Sequence, residues 1–143
     1  MLLKDVMTAG VECVGLDDTI QTAARKMRDL DVGPVPVCGD NDQLAGVLTD
    51  RDITIRAVAE GMDPTKYKVQ DAMTPDVVYC FDDEPVERAE RVMKDKQIRR
   101  LLVLNRNKRL VGIVSLGDLA VRGESSQKVG EVLQDVSEPV APL

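Results

Sequence analysis

The sequence of 143 residues has no histidine, no tryptophan, one phenylalanine and two tyrosines. Without histidine it lacks the commonest general base, the commonest metal ligand and the ordinary near-neutral pH switch. An aromatic content of 2% offers almost nothing for bases to stack on, and a formal net charge of −6 supplies no basic groove, so nucleic acid is not an expected partner. No apolar run approaches the length of a membrane span, and Met1 to Asp5 lack a signal-peptide layout. A soluble cytoplasmic protein is expected. The cysteines, Cys13, Cys38 and Cys80, are odd in number and form no Cys-x-x-Cys pair, which reads as small apolar filler in a reducing compartment. There is no Ser/His/Asp set, no metal-ligand cluster and no Walker-type phosphate loop. Enzyme chemistry and a metal site are therefore the least favoured readings.

What is present is a duplication. A shift of 66 positions lays Met7-Thr8 on Met73-Thr74 and Asp52 on Asp118 without a gap. Over positions 5–56 against 71–122, Asp5/Asp71, Val11/Val77, Asp17/Asp83, Ala23/Ala89, Met27/Met93, Leu44/Leu110, Gly46/Gly112 and Arg56/Arg122 also match. A chain of this length buries roughly 68–70% of its unfolded surface, whereas a half of some sixty residues would be poorly covered, so the halves are expected to share a core. The organisation expected is a first repeat over 1–61, a linker over 62–69, a second repeat over 70–124, and a C-terminal helix and tail over 125–143.

Period and punctuation give each repeat the same elements. A helical turn from Leu3 to Met7 leads to a strand near Glu12–Gly15, and Asp17 or Asp18 caps a helix with Ile20, Ala23, Ala24, Met27 and Leu30 at helical spacing. Val35 to Cys38 reads as a strand, Gly39-Asp40-Asn41-Asp42 as a turn, and Leu44 to Leu48 as the hairpin partner. Asp50 then caps a helix with an apolar stripe of Ile53, Ala57 and Val58, which Gly61 stops. The second copy repeats this with a strand at Val78–Phe81, a helix from Asp83 to Lys96, strands Leu101–Leu104 and Leu110–Val114, and a helix from Leu116.

This tandem β-α-β-β-α unit closes each copy on Gly46-Val47-Leu48-Thr49-Asp50-Arg51-Asp52 and Gly112-Ile113-Val114-Ser115-Leu116-Gly117-Asp118. With Met-Thr opening each copy, the pattern resembles the cystathionine beta-synthase (CBS) domain pair, or Bateman module. The resemblance implies an α+β fold of two pseudo-twofold-related units packed sheet to sheet, with adenosine-containing ligands in clefts at their junction. It further implies a homodimer that regulates a partner protein in response to AMP, ADP, ATP or another adenosyl compound, with no obligatory cofactor. The pair also occurs inserted in inosine monophosphate dehydrogenases, but this chain is too short to hold their catalytic barrel.

The residues of the closing motif suit that chemistry. Thr49 and Ser115 stand where a strand gives way to a helix, with Asp52 and Asp118 in the first turn, so hydroxyl and carboxylate face one mouth. A carboxylate accepts from both hydroxyls of a ribose. The same Thr/Ser-x-x-Asp spacing is also a capping box, and either motif taken singly fits both roles.

The strand before each hairpin supplies a second group: Val35 and Pro36 in the first copy, Arg99, Arg100 and Leu101 in the second, which the resemblance places on the base and phosphate side. Leu102 stands where the family has proline. Positions 5–56 hold five Lys and Arg against ten Asp and Glu, while positions 71–122 hold ten against nine. A phosphate therefore looks to Arg99 and Arg100, with Arg51 the main cation of the first copy, whereas Arg88, Arg91, Lys94 and Lys96 read as solvated helix faces. The resemblance brings Thr8, Val11 and Val14, with Thr74, Val77 and Cys80, towards the adenine; as apolar residues entering strands, the four that are not threonine also read as core. The alternative function is a structural dimerisation or partner-docking module with degenerate clefts.

Overall fold

The computed structural model describes residues 1–122, so the helix expected over 125–143 lies outside the described residues. In chain order the elements are α1 (Leu3–Val6), β1 (Thr8–Ala9), β2 (Val14–Gly15), α2 (Ile20–Leu30), β3 (Pro34–Cys38), β4 (Leu44–Thr49) and α3 (Asp50–Asp52). A π-helical stretch, Ile53–Val58, continues α3, and a 3-10 turn follows at Val69–Asp71. Then come β5 (Tyr79–Phe81), α4 (Val86–Lys96), β6 (Arg100–Leu104), β7 (Leu110–Ser115) and α5 (Leu116–Arg122). The fold is α+β, and it divides into two units, one made of Met1–Val11 with the chain from Val78 onward, the other of Glu12–Val77.

The units do not coincide with the sequence repeats. In the first, four strands run β1-β7-β6-β5, with β5 parallel to β6 and the β6–β7 hairpin antiparallel. Its edge strand β1 comes from the first copy of the repeat and pairs Thr8 with Ile113 and Ala9 with Gly112. In the second unit, β2-β3-β4 form the sheet, and Thr74 of the second copy pairs with Val47 of β4 through two backbone bonds of 2.9 and 3.0 Å. Each copy thus donates its Met-Thr segment to the sheet that carries the other copy's hairpin.

The matched glycines explain how this is tolerated. A Cβ on Gly112 would lie 2.6 Å from Met7 Sδ and 2.9 Å from the Thr8 carbonyl oxygen, and one on Gly46 would lie 2.6 Å from the Thr74 carbonyl oxygen. Only a residue without a side chain admits the donated strand at that distance. The expected shared core takes the form of this exchange: buried apolar side chains gather in two clusters, one per unit. One contains Leu3, Val6, Ala89, Met93, Leu101, Val103, Val114 and Leu119, the other Val14, Ile20, Ala23, Val35, Val37, Leu48, Val69 and Ala72.

The two long helices keep their expected faces but start later than their acidic residues suggest. Helix α2 is capped by Thr19, whose hydroxyl accepts from the Thr22 amide, and not by Asp17 or Asp18. Asp18 Oδ2 is taken by the Gly15 amide at 2.7 Å, closing the turn that precedes the helix. In the other copy Glu84 does the same for Phe81 at 2.9 Å, and α4 begins at Val86 after Pro85, three residues past the expected Asp83. Ile20, Ala23 and Met27, and their counterparts Val86, Ala89 and Met93, are buried at i, i+3 and i+7.

Asp50 is likewise not a cap. Thr49 caps α3, and Asp50 is the first helical residue. The following stretch is π-helical, the Ala59 amide donating to the Thr54 carbonyl at 3.0 Å, and the wider turn rotates Val58 out of the expected stripe. Val58 is 69% exposed while Ala57 is buried. The segment after it is bound to its unit: the Ile20, Gln21 and Val69 amides bond to the carbonyls of Tyr67, Pro64 and Asp18.

Candidate functional site

The closing motif builds the same arrangement twice. At the end of β4 the Thr49 hydroxyl accepts from the Asp52 amide at 3.0 Å, and Asp52 Oδ2 accepts from the Thr49 amide at 3.0 Å. At the end of β7 the Ser115 hydroxyl accepts from the Asp118 amide at 3.1 Å, and Asp118 Oδ2 accepts from the Ser115 amide at 2.9 Å. The capping boxes are therefore formed at both places. They do not use up the groups concerned. Each hydroxyl retains its proton to donate, and each carboxylate retains Oδ1 as an acceptor beyond the cap.

In the first unit Thr8 reaches this site from the other copy of the repeat, its hydroxyl donating to Asp118 Oδ1 at 3.5 Å, the outer limit for such a bond. Thr74 stands at the equivalent place in the second unit, beside Val47 of β4. Its segment is held by Arg56, which donates to the carbonyls of Ala72 and Met73 at 3.3 and 2.9 Å. Arg56 was visible in the sequence as a match to Arg122 without a role. Its role is to clamp the donated segment.

An open pocket of about 690 Å3 lies in the first unit, lined by Ile98, Arg99, Arg100, Ser115, Leu116 and Gly117. Its size is that of a small-molecule site. Arg100 faces Ser115 across the β6–β7 ladder, and the Leu116 amide donates to the Arg99 carbonyl at 3.1 Å, so both exposed arginines are held beside the Ser115 hydroxyl. The structure thus gathers Arg99, Arg100 and Ser115, and adds Ile98, Leu116 and Gly117 to the wall. Arg51, exposed at the start of α3, occupies the position in the second unit that Gly117 holds here.

The apolar candidates separate by burial. Val35, Leu101, Val14 and Cys80 have no more than 2% of their surface exposed and belong to the two core clusters, so their side chains are spent on packing and only their backbones can shape a site. For Val14 and Cys80 this is the core alternative that the sequence left open, and Val35 and Leu101 turn their side chains into the cores as well. Burial pushes the Cys80 thiol up to about 11, with the Glu84 charge adding to the rise and Arg88 opposing it, as suits inert filler. Pro36 is also buried, whereas Val11 and Val77 are half-buried at the ends of the chain segments that form the two units. Among the described residues no group of three His, Cys, Asp or Glu is placed to hold a metal, and no helix is long and apolar enough to cross a membrane.

Comparison with known proteins adds a family and several solved structures. The CBS domain family matches residues 3–58 and 69–123. Hypoxic response protein 1 of Mycobacterium tuberculosis is 41% identical over 117 residues, which span 82% of this chain and 81% of that protein. The crystal structure of hypoxic response protein I with two coordinated zinc ions matches with a TM-score of 0.75 and 39% identity, over 85% of this chain and 98% of that one. CBSX2 in complex with AMP matches with a TM-score of 0.70 at 27% identity, covering 93% of this chain and 96% of that one. The CBS domain pair of MJ0100, in complex with 5-methylthioadenosine and S-adenosyl-L-methionine, has a TM-score of 0.69 at 26% identity, covering 85% and 98%.

Proposed function

The chain belongs to the CBS-domain family as a tandem pair, and from that premise we propose that it is a non-enzymatic regulatory module that binds an adenosine-containing ligand and passes its occupancy to a partner protein. The observation that carries this reading is the twice-built Thr/Ser–Asp site, with Arg99 and Arg100 beside one copy of it. In this reading Asp52 and Asp118 accept from the ribose hydroxyls through Oδ1, and Thr49 and Ser115 donate to a sugar or phosphate oxygen. Arg99 and Arg100 hold phosphate by charge-assisted bonds. Thr8 and Thr74 sit on the donated segments, where a ligand touching them would report on both copies of the repeat at once. The bound AMP of CBSX2 and the adenosyl ligands of MJ0100 support the ligand class.

The module acts as a homodimer in this reading. Ile55 and Val58, 47% and 69% exposed on the π-helical stretch, are apolar groups that a second copy would cover. The test is a panel of thermal shifts with AMP, ADP, ATP, S-adenosylmethionine, NAD and cyclic di-AMP, alongside the mass by light scattering. A ligand at 100 times its dissociation constant adds about 2.7 kcal/mol to stability. A panel without any shift would replace this reading with that of a docking module whose clefts have degenerated.

A further inference from the structure

Arg56 links the Thr49–Asp52 cap of the second unit to the segment that the other copy donates. It stands four residues after Asp52, about one helical turn, on the stretch that continues α3. The 3-10 turn Val69–Asp71 ends beside it, and carbonyls past the end of a helical turn lack a partner of their own. Arg56 Nη1 supplies one, donating to the Ala72 carbonyl at 3.3 Å and to the Met73 carbonyl at 2.9 Å. The next residue, Thr74, exchanges backbone bonds of 2.9 and 3.0 Å with Val47 of β4. Two residues further along β4 is Thr49, bonded to Asp52 in both directions at 3.0 Å. The bonds therefore close a ring, from Asp52 through Arg56 to the donated segment, across to β4, and back to Asp52. All of it lies within the unit Glu12–Val77. On the sheet side the segment has no slack, since a Cβ on Gly46 would lie 2.6 Å from the Thr74 carbonyl oxygen. Gly46 lets the segment come this close, and Arg56 holds it from the helix side.

Resting on the adenosyl reading above, we propose that Arg56 is a positioning residue for the ligand site of the second unit. By holding Ala72 and Met73 it sets Thr74 against the Thr49–Asp52 cap, so that the donated segment and the cap form one wall for the ligand. Arg56 need not touch the ligand, because Nη1 is spent on backbone carbonyls and the side chain acts through Thr74. The linkage is reciprocal. A closed clamp presents Asp52 and Thr74 together, and a ligand bonded to both draws the ring shut and tightens the clamp. The segment so held runs on through Val77 to Val78, where the chain passes into the other unit. Occupancy of the site is thus felt at the crossing between units.

The test is calorimetry with AMP and with adenosine on the full chain carrying Asp118→Asn, which leaves the second unit's site to be read by itself. In that background Arg56→Gln is expected to weaken binding about 2- to 30-fold. Arg56→Lys, which keeps a cation and its donors, should recover part of the loss. Thr74→Val should weaken binding as well, and adding Arg56→Gln to it should cost nothing more, because the clamp then has no hydroxyl to aim. In an Asp52→Asn background, Arg56→Gln should leave binding at the first unit's site unchanged. If Arg56→Gln is too unstable to titrate, amide exchange decides: either ligand should slow exchange at Thr74 in the native chain and not in Asp52→Asn. Native affinity in Arg56→Gln, simple addition of the Arg56→Gln and Thr74→Val losses, or exchange at Thr74 that ignores the ligand would overturn the positioning role and leave the adenosyl reading standing. So would binding that depends on Asp118 alone. Absence of binding by both AMP and adenosine to the native chain would overturn the adenosyl reading, and this inference with it.

Discussion

Two substitutions of Asp118 separate its structural role from its proposed ligand role. In Asp118→Ala the Ser115 amide loses its partner at 2.9 Å, and the helix that follows loses half of its capping box. Loss of such a cap costs about 0.5–2 kcal/mol. The contact with the Thr8 hydroxyl, at 3.5 Å, adds little to that figure. In Asp118→Asn the amide oxygen can still accept from Ser115, so stability should stay within about 0.5 kcal/mol of the native value. The second acceptor becomes an NH2 donor, however, and two ribose hydroxyls no longer face two acceptors. The proposed loss of a charged hydrogen bond is worth about 1.5–3 kcal/mol. Urea unfolding and calorimetry with AMP on both variants give the comparison, with the native chain as reference. The expected pattern is a lowered midpoint in Asp118→Ala alone, and weakened AMP binding in both. Native-like AMP affinity in Asp118→Asn would refute the ribose role and leave a helix cap. An unchanged midpoint in Asp118→Ala would refute the energetic account of the cap.

Gly112→Ala drives a methyl group into Met7 Sδ and the Thr8 carbonyl, at 2.6 and 2.9 Å, and should cost about 1–3 kcal/mol by forcing β1 away from β7; a native urea midpoint would show that the donated strand is not held at this distance. Asp83 accepts from Arg106 Nε through both oxygens, at 3.0 and 2.9 Å, and these bonds hold its carboxyl below the usual carboxylate range. Because the folded-state value is depressed, any stability from the pair is fully present above the unfolded pKa of about 3.9 and is lost as pH falls through the folded value. Both side chains are exposed, so the effect is small, and a carboxyl titration of Asp83 at the ordinary value would remove it.

The hairpins and the strands β2 and β5 were legible in the sequence because their signals are local, whereas the donated strand β1 was not, since its partner β7 lies about a hundred residues away. Helix starts were less so. Asp18 and Glu84 are good capping residues by type, but each is already bonded to the amide three residues before it, at Gly15 and Phe81. Nothing in composition announces that prior claim. The outward turn of Val58 goes with a π-helical bond pattern, the Ala59 amide reaching the Thr54 carbonyl, which a regular helical spacing does not announce. In the site, Thr49, Asp52, Ser115 and Asp118 were legible in their spacing, as were Arg99 and Arg100 in their charge. That Val35 and Leu101 turn into the cores was not, since a short strand shows its alternation without showing which face is inward.

The exchange of Met-Thr segments also sets an order of completion during synthesis. Everything in the unit Glu12–Val77 is one uninterrupted stretch, so a ribosome that has released Val77 has released the whole of it. The other unit opens with a segment, Met1–Val11, made before that stretch, and lacks its central hairpin until Leu110–Ser115 emerges. Leu3 and Val6, which end with no exposed surface, have no sheet to cover until then. A segment made before Glu12–Val77 thus takes its place after it, and Gly112 holds open the seat to which Met7-Thr8 comes back.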